Sequence, residues 1–202
     1  MRARYPEDVP GFFVSAALRG NASSTICPNE LSNLILLKNW HLLPPLKGVP
    51  GTQSCFSKGV EWLTLEPSPF QAWTVGIEGA FSAAQQHVDS FEREHQLQVM
   101  PSSGAYLDRH AHNQMIAQLI GSLSGIGRAL RGDAFYELDL TLEWSGLLGR
   151  RLINGNPERH DGLLALSTDT VRTQYRFDDY ALTHHLEAVI TECARPLLSA
   201  FS

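Results

Sequence analysis

The chain is short of charge, of cysteine and of long apolar runs, and each shortage excludes something. Charged residues make up 18% of its 202 positions, against roughly 25% in ordinary soluble domains. The shortage is concentrated between Val9 and Val60, where only Arg19, Glu30, Lys38, Lys47 and Lys58 carry charge. About 13 charges would be average for a span of that length. The cysteines are Cys27, Cys55 and Cys193. An odd set at unrelated spacings, with no C-x-x-C, argues against a disulfide framework and against a thiolate zinc site. The longest apolar stretch, Leu34 to Leu43, is broken by Lys38, Asn39 and His41. It is too short and too polar to span a bilayer. Pro6, Glu7 and Asp8 stand where a signal peptide would carry its apolar core. A reducing cytoplasm, without membrane attachment, is the expected setting.

Basic excess is also missing: 16 Lys and Arg face 21 Asp and Glu, for a net charge of −5. Non-specific binding to nucleic acid needs phosphate-neutralising cations gathered on one face. Only a small basic patch, Arg128, Arg131, Arg150 and Arg151, keeps that partner class open. The glycine-rich run 121–132 is no phosphate loop, because Leu130 stands where a third glycine is needed and no strand precedes it. Gly121 and Gly125, four apart on a helix, instead predict a close approach by another element. No G-x-S-x-G nucleophile motif occurs, and neither cofactor nor metal is expected.

What is present reads as mixed structure. Residues 11–18 (GFFVSAAL) have the aromatic and β-branched content of a strand. A helix is expected over 27–43, then a Pro/Gly-rich loop over 44–59, then a short strand over 60–67. From Phe70 to Leu97, the three-and-four spacing of Phe81, Ala84, Val88, Phe91 and His95 predicts a helix, with a short strand at 96–100. A second long helix follows from the Pro101-Ser102-Ser103 turn to about Leu130. Residues 134–144 alternate strictly, with Tyr136, Leu138, Leu140, Leu142 and Trp144 on one face. A hairpin turning near Thr168-Asp169 is expected over 162–177, and a last helix from Asp178 or Asp179 until Pro196. Adjacent antiparallel strands mixed with helices imply a single α+β domain over residues 1–202. Its sheet is expected to take at least three strands from the C-terminal half, packed by three or four helices.

Three residues are candidates for chemistry. Asp108 and His112, at i and i+4, are neighbours on one helix face, the arrangement in which a carboxylate orients an imidazole. His110 and His112 are about 200° apart on a helix and cannot share one ion. His160, beside Asp161 in a polar loop, is the third. Together these would serve a small hydrolase or nuclease using histidine acid/base catalysis, with or without a metal ion. The competing reading of Asp108–His112 is a helix start. His184 and His185 flank the apolar stripe Leu182, Leu186, Val189, Ile190, Cys193 and Leu197, which places them at the surface. Glu137, Asp139 and Glu143 share one strand face and are expected to pair with Arg172 and Arg176 on a neighbouring strand. Arg172 with Glu137 is the pair singled out.

The preferred function is a non-enzymatic cytosolic component that docks onto partner chains in a larger assembly. Interface cores are poor in charge and rich in aromatics, and the charge-poor segment 9–60 carries Phe12, Phe13, Trp40 and Phe56 as candidate partner-binding residues. The same segment could instead form the core of its own domain.

Overall fold

The computed structural model describes residues 11–20, 30, 55–58, 62–68, 71–86, 88–93, 96–101, 106–132, 134–153 and 165–201, with side chains described at 11–20, 30, 72–85, 106–132, 134–153 and 165–201. The strands are β1 (Gly11–Arg19), β2 (Cys55–Lys58), β3 (Trp62–Ser68), β4 (Gln71–Gly76), β5 (Ala80–Gln86), β6 (Val88–Arg93), β7 (Gln96–Pro101), β8 (Tyr106–Asp108), β9 (Glu137–Trp144), β10 (Arg151–Ile153) and β11 (Val171–Asp178). The helices are α1 (Arg109–Arg131), α2 (Asp179–His184) and α3 (Leu186–Ser199). Helices combined with an antiparallel sheet make the fold α+β.

Seven strands form one antiparallel sheet in the order β11-β9-β1-β5-β4-β3-β2. β6 and β7 pair as a separate hairpin, and β8 runs parallel to β10. In β1 the inward row Phe12, Val14, Ala16 and Leu18 is buried, while Ser15, Ala17 and Arg19 are exposed. In β9 the buried row is Leu138, Leu140, Leu142 and Trp144. Helix α1 lays Met115, Ile116, Leu119, Ile120, Leu123, Ile126 and Leu130 into the same cluster, and α3 adds Val189, Cys193 and Leu197. Each such aliphatic side chain contributes roughly 1.5–3 kcal/mol when taken fully out of water. That row against that stripe is the core.

The expected helix over 70–97 is strand instead, forming β4 to β7. Its apparent stripe dissolves in the sheet: Phe81 belongs to the inward row, whereas Ala84 lies one face over. Side chains on both faces of β4 and β5 are buried, including Ala72, Thr74, Ser82 and Ala84 on the second face. A strand buried on both faces loses the polar alternation that marks strands, and its alanines imitate helix. The overlooked signal is Gly76-Ile77-Glu78-Gly79, a hairpin turn closed by the Gly79 amide on the Gly76 carbonyl at 3.0 Å. Gly79 has φ +93, and a Cβ there would come within 2.7 Å of Leu18.

Several other expectations shift. Of the main sheet only β9 and β11 come from the C-terminal half, because the inner neighbour of β9 is β1, followed by β5. Of the arm expected at 162–166, residues 162–164 lie outside the described residues, and Ala165 and Leu166 do not pair with β11. Ala165 bridges Arg151, and β11 pairs with β9 over its whole length. The long helix begins at Arg109, after β8 and the Asp108 cap. The last helix breaks at His185 into α2 and α3, and Pro196 is accommodated inside α3. Residues 55–58, assigned to the end of the loop, form β2. The expected helix over 27–43, apart from the helical Glu30, and loop residues 44–54 lie outside the described residues.

The close approach expected at Gly121 is absent there, and one occurs at Gly127. A Cβ on Gly121 would meet nothing within 4 Å, while one on Gly127 would come within 2.6 Å of the Tyr136 ring. Tyr136 cannot easily give way: it is 1% exposed, and its hydroxyl donates to the Ser124 carbonyl at 3.3 Å. Gly121→Ala is therefore expected to stabilise by roughly 0.5–1 kcal/mol through helix propensity. Gly127→Ala is expected to destabilise by about 1–3 kcal/mol through overpacking. Denaturant melts of the two variants measure the contrast, and shifts of the same sign would refute it.

Candidate functional site

The proposed acid/base residues do not come together. Asp108 is the N-cap of α1: its carboxylate accepts from the backbone amides of His110 at 2.7 Å and Ala111 at 3.2 Å. That work satisfies two of the amides a helix start leaves open. His112 turns the other way, into the core, where it is 4% exposed and stands edge-on to Trp144 at 5.6 Å. Neither ring nitrogen of His112 has a side-chain partner, so Asp108 does not orient it. Burial pushes the imidazole down to about 4 from an ordinary 6.5, opposed by the backbone of Ala194. His160 lies outside the described residues. What remains is a capped helix start and a neutral core histidine.

The other reactive groups are similarly placed for structure. The Cys193 thiol is fully buried, and desolvation pushes it up to about 12, where no nucleophilic thiolate is available near neutral pH. Among the described residues no three His, Cys, Asp or Glu side chains cluster so as to hold a metal ion. His184 and His185 are exposed, as their flanking positions implied, and both rings lie against Tyr180, at 4.6 and 5.4 Å.

The basic patch does not exist as a surface. Arg131 is 4% exposed and donates to the carbonyls of Glu78 at 2.8 Å and Leu18 at 3.3 Å. It ties the end of α1, where the helix dipole favours a cation, to β1 and to the β4–β5 turn. Arg150 is 2% exposed and donates to the carbonyls of Gly146 at 2.6 Å and Tyr106 at 3.3 Å. Only Arg128 and Arg151 reach solvent. Planar guanidinium groups have been used here to bind several backbone carbonyls at once.

Of the partner-binding candidates, Phe12 is a core residue, packed on Trp144 at 5.2 Å. Phe13, one residue on, is half-buried on the opposite face between Ala84 and Glu143. Phe56 sits in β2 opposite Leu65, its side chain outside the description, and Trp40 lies outside the described residues. For Gly11–Arg19, then, the charge-poor segment is the domain's own core.

The outer face of β1, β9 and β11 is the charged one. Asp139 is flanked by Arg19 and by Arg176, the latter at 2.6 Å, and these two guanidinium groups hold its carboxyl below the usual range. Arg172 stands opposite Glu143, with 3.7 Å between their charged atoms. The expected pairing of acids with Arg172 and Arg176 is present, but the partner of Arg172 is Glu143 rather than Glu137. Register decides it: Glu137 stands opposite Asp178.

Sequence reasoning missed the position of β11. Its alternation was legible; its place at the end of the sheet order was not. Arg172, Gln174, Arg176 and Asp178 are exposed on one face, while Val171, Thr173 and Tyr175 are half-buried on the other. Among the described residues no strand pairs with its second edge. Just beyond it the aromatic side chains of Phe135 and Tyr180 are 60% and 59% exposed. They flank the hydrogen bond from the Asp179 amide to the Tyr136 carbonyl.

The His112 environment yields a pH dependence. Its folded value lies below the ordinary one, so the unfolded chain binds the extra proton, and stability rises with pH between them. The contribution is complete above about pH 6.5 and is lost as pH falls towards about 4, on the order of 3 kcal/mol at most across that window. His112→Leu is expected to flatten the stability profile there, read from melts at stepped pH. An equally steep profile in the variant would refute the assignment.

Comparison with protein-family models, with curated proteins and with solved structures finds no match for this chain.

Proposed function

We propose that this chain is a non-enzymatic, cytoplasmic protein-interaction component that accepts a strand from another chain along the edge of β11 on which, among the described residues, no strand pairs. The observation that carries the reading is the position of β11, eight residues long, terminal in the sheet and in unbroken register with β9. An edge strand offers a row of backbone donors and acceptors, and natural edges are commonly blunted by proline, bulges, short length or inward-pointing charge. β11 contains no proline or glycine, and its inward residues are Val171, Thr173, Tyr175 and Phe177. Strand addition to such an edge takes affinity from main-chain hydrogen bonds and specificity from alternate side chains.

The exposed aromatics Phe135 and Tyr180 beside the end of β11 support the same surface, since aromatics are enriched where chains dock. The aromatic residues of the charge-poor segment drop out of this role at Phe12, which is spent on the core.

The test introduces an inward-pointing lysine at the edge. Thr173→Lys lets a monomer extend the ammonium past the edge into water, whereas an added strand would bury it. Its melting behaviour is expected to stay within about 0.5 kcal/mol of the parent, as at other half-exposed sites. The native mass, measured in lysate and after purification, is expected to exceed one chain for the parent and to fall to one chain for the variant. An unchanged mass in the variant, or a parent that is always a single chain, would refute the docking role.

A further inference from the structure

We infer that the chain seated on the β11 edge is a second copy of this chain, joined by antiparallel β11–β11 pairing about a two-fold axis at Tyr175. The inference rests on the docking role of β11 and names its occupant. In an antiparallel pair, residues directly opposite each other share a face. Outward residues Arg172, Gln174, Arg176 and Asp178 must therefore meet outward residues, and the axis must pass through a residue rather than between two. With Tyr175 on the axis, Arg172 stands opposite Asp178 of the second copy and Gln174 opposite its Arg176, each twice by symmetry. With Gln174 on the axis, Arg172 would instead meet Arg176. With Arg176 on the axis, that residue would meet itself. Among these three central registers, which pair most of the strand, charge selects Tyr175.

The existing ladder favours the same arrangement. Asp178 stands beside Glu137 across the β9–β11 pair, two carboxylates directly opposite each other, an arrangement that destabilises a sheet. Arg19 lies on the far side of Glu137, in register with it. On its other side Asp178 faces the open edge, where Arg172 of a second copy would stand. Asp178 keeps its role at α2 in that arrangement, since one carboxylate oxygen accepts from Ala181 at 2.7 Å and the other is left for the guanidinium. Arg172 has capacity to spare, exposed as it is and only loosely paired with Glu143 at 3.7 Å. The row would read Arg19, Glu137, Asp178, then Arg172 and Glu143 of the second copy. On the helix side, Thr173 would oppose Phe177, and the two Tyr175 rings, each stacked on its own Phe177 at 5.5 Å, would meet at the axis. A two-fold strand pairing is isologous and closed, so it ends at a dimer.

The test uses the full chain with Cys27→Ser and Cys55→Ser, leaving Cys193 buried. One preparation carries Gln174→Cys, a second Arg176→Cys; opposed residues of an antiparallel pair lie within disulfide reach. Oxidising the mixture is expected to give a disulfide-linked dimer that neither preparation gives alone. The parent is expected to have a native mass of two chains. Arg172→Asp, which turns two attractions into repulsions, is expected to raise the dimer dissociation constant roughly tenfold or more. A cross-link in either preparation alone would place the axis elsewhere and overturn the inference. So would a dimer that survives both Thr173→Lys and Arg172→Asp, or a single-chain mass at all concentrations. In that last case, a foreign chain captured by the parent and lost from Thr173→Lys would leave the docking role standing with another occupant. Capture unaffected by Thr173→Lys would remove the docking role as well.

Discussion

The pairing of β1 on both its edges is the constraint on which the rest of the structure depends. β1 lies between β5 and β9, so a segment near the N-terminus joins strands drawn from distant parts of the chain. Its inward row of Phe12, Val14, Ala16 and Leu18 continues into Leu138, Leu140, Leu142 and Trp144 on one side and Phe81 and Ala83 on the other. Without β1 the sheet is two fragments, β11-β9 and β5-β4-β3-β2. Its registers are pinned by side-chain alternation, because a slip of one residue would send each inward residue to the charged face. Arg131 reinforces the junction from below by tying the end of α1 to the Leu18 carbonyl.

That central position also explains the shortage of charge in the first part of the chain, as far as Gly11–Arg19 is concerned. A strand with neighbours on both edges and helices over one face has little solvent to offer a charged side chain. Arg19, at its end and on the outer face, is the exception, and it is used against Asp139. The two buried arginines follow the same economy. Arg131 and Arg150 act as multi-donor clamps on backbone carbonyls, which a guanidinium can do and an ammonium does less well. Read as a string of letters, they looked like a patch for phosphate; in the fold they are mortar.

How much of this was legible can be judged residue by residue. β1, β9, β11 and α1 carry one buried face each, and their periods of 2 and 3.6 could be read directly. β4 and β5 are buried on both faces, so the contrast that reveals a strand is gone, and Ala80, Ala83 and Ala84 tilt the reading towards helix. The edge position of β11 was out of reach for a different reason: strand order is set by which long-range pairs form, and no local pattern encodes it. The same holds for His112. Its spacing from Asp108 suggested a catalytic pair, but the cap geometry that claims Asp108 and the Trp144 ring that shields His112 belong to the tertiary structure.

The charged outer face and the terminal position of β11 among the described strands are two sides of one problem. An exposed edge is guarded by charges that refuse a neighbour, yet the strongest charges on this edge strand are already engaged. Arg176 is committed to Asp139, and the Asp139–Arg176 attraction holds both ionised states in place. Such an ion pair, turned towards β9, offers little resistance to an incoming strand on the other side. What it does offer is selectivity: a neighbour must bring a cation to Asp178, no cation to Arg176, and small or aromatic side chains to the Thr173–Tyr175–Phe177 row. Few strands satisfy all three conditions in one register, and β11, run backwards about Tyr175, is one that does.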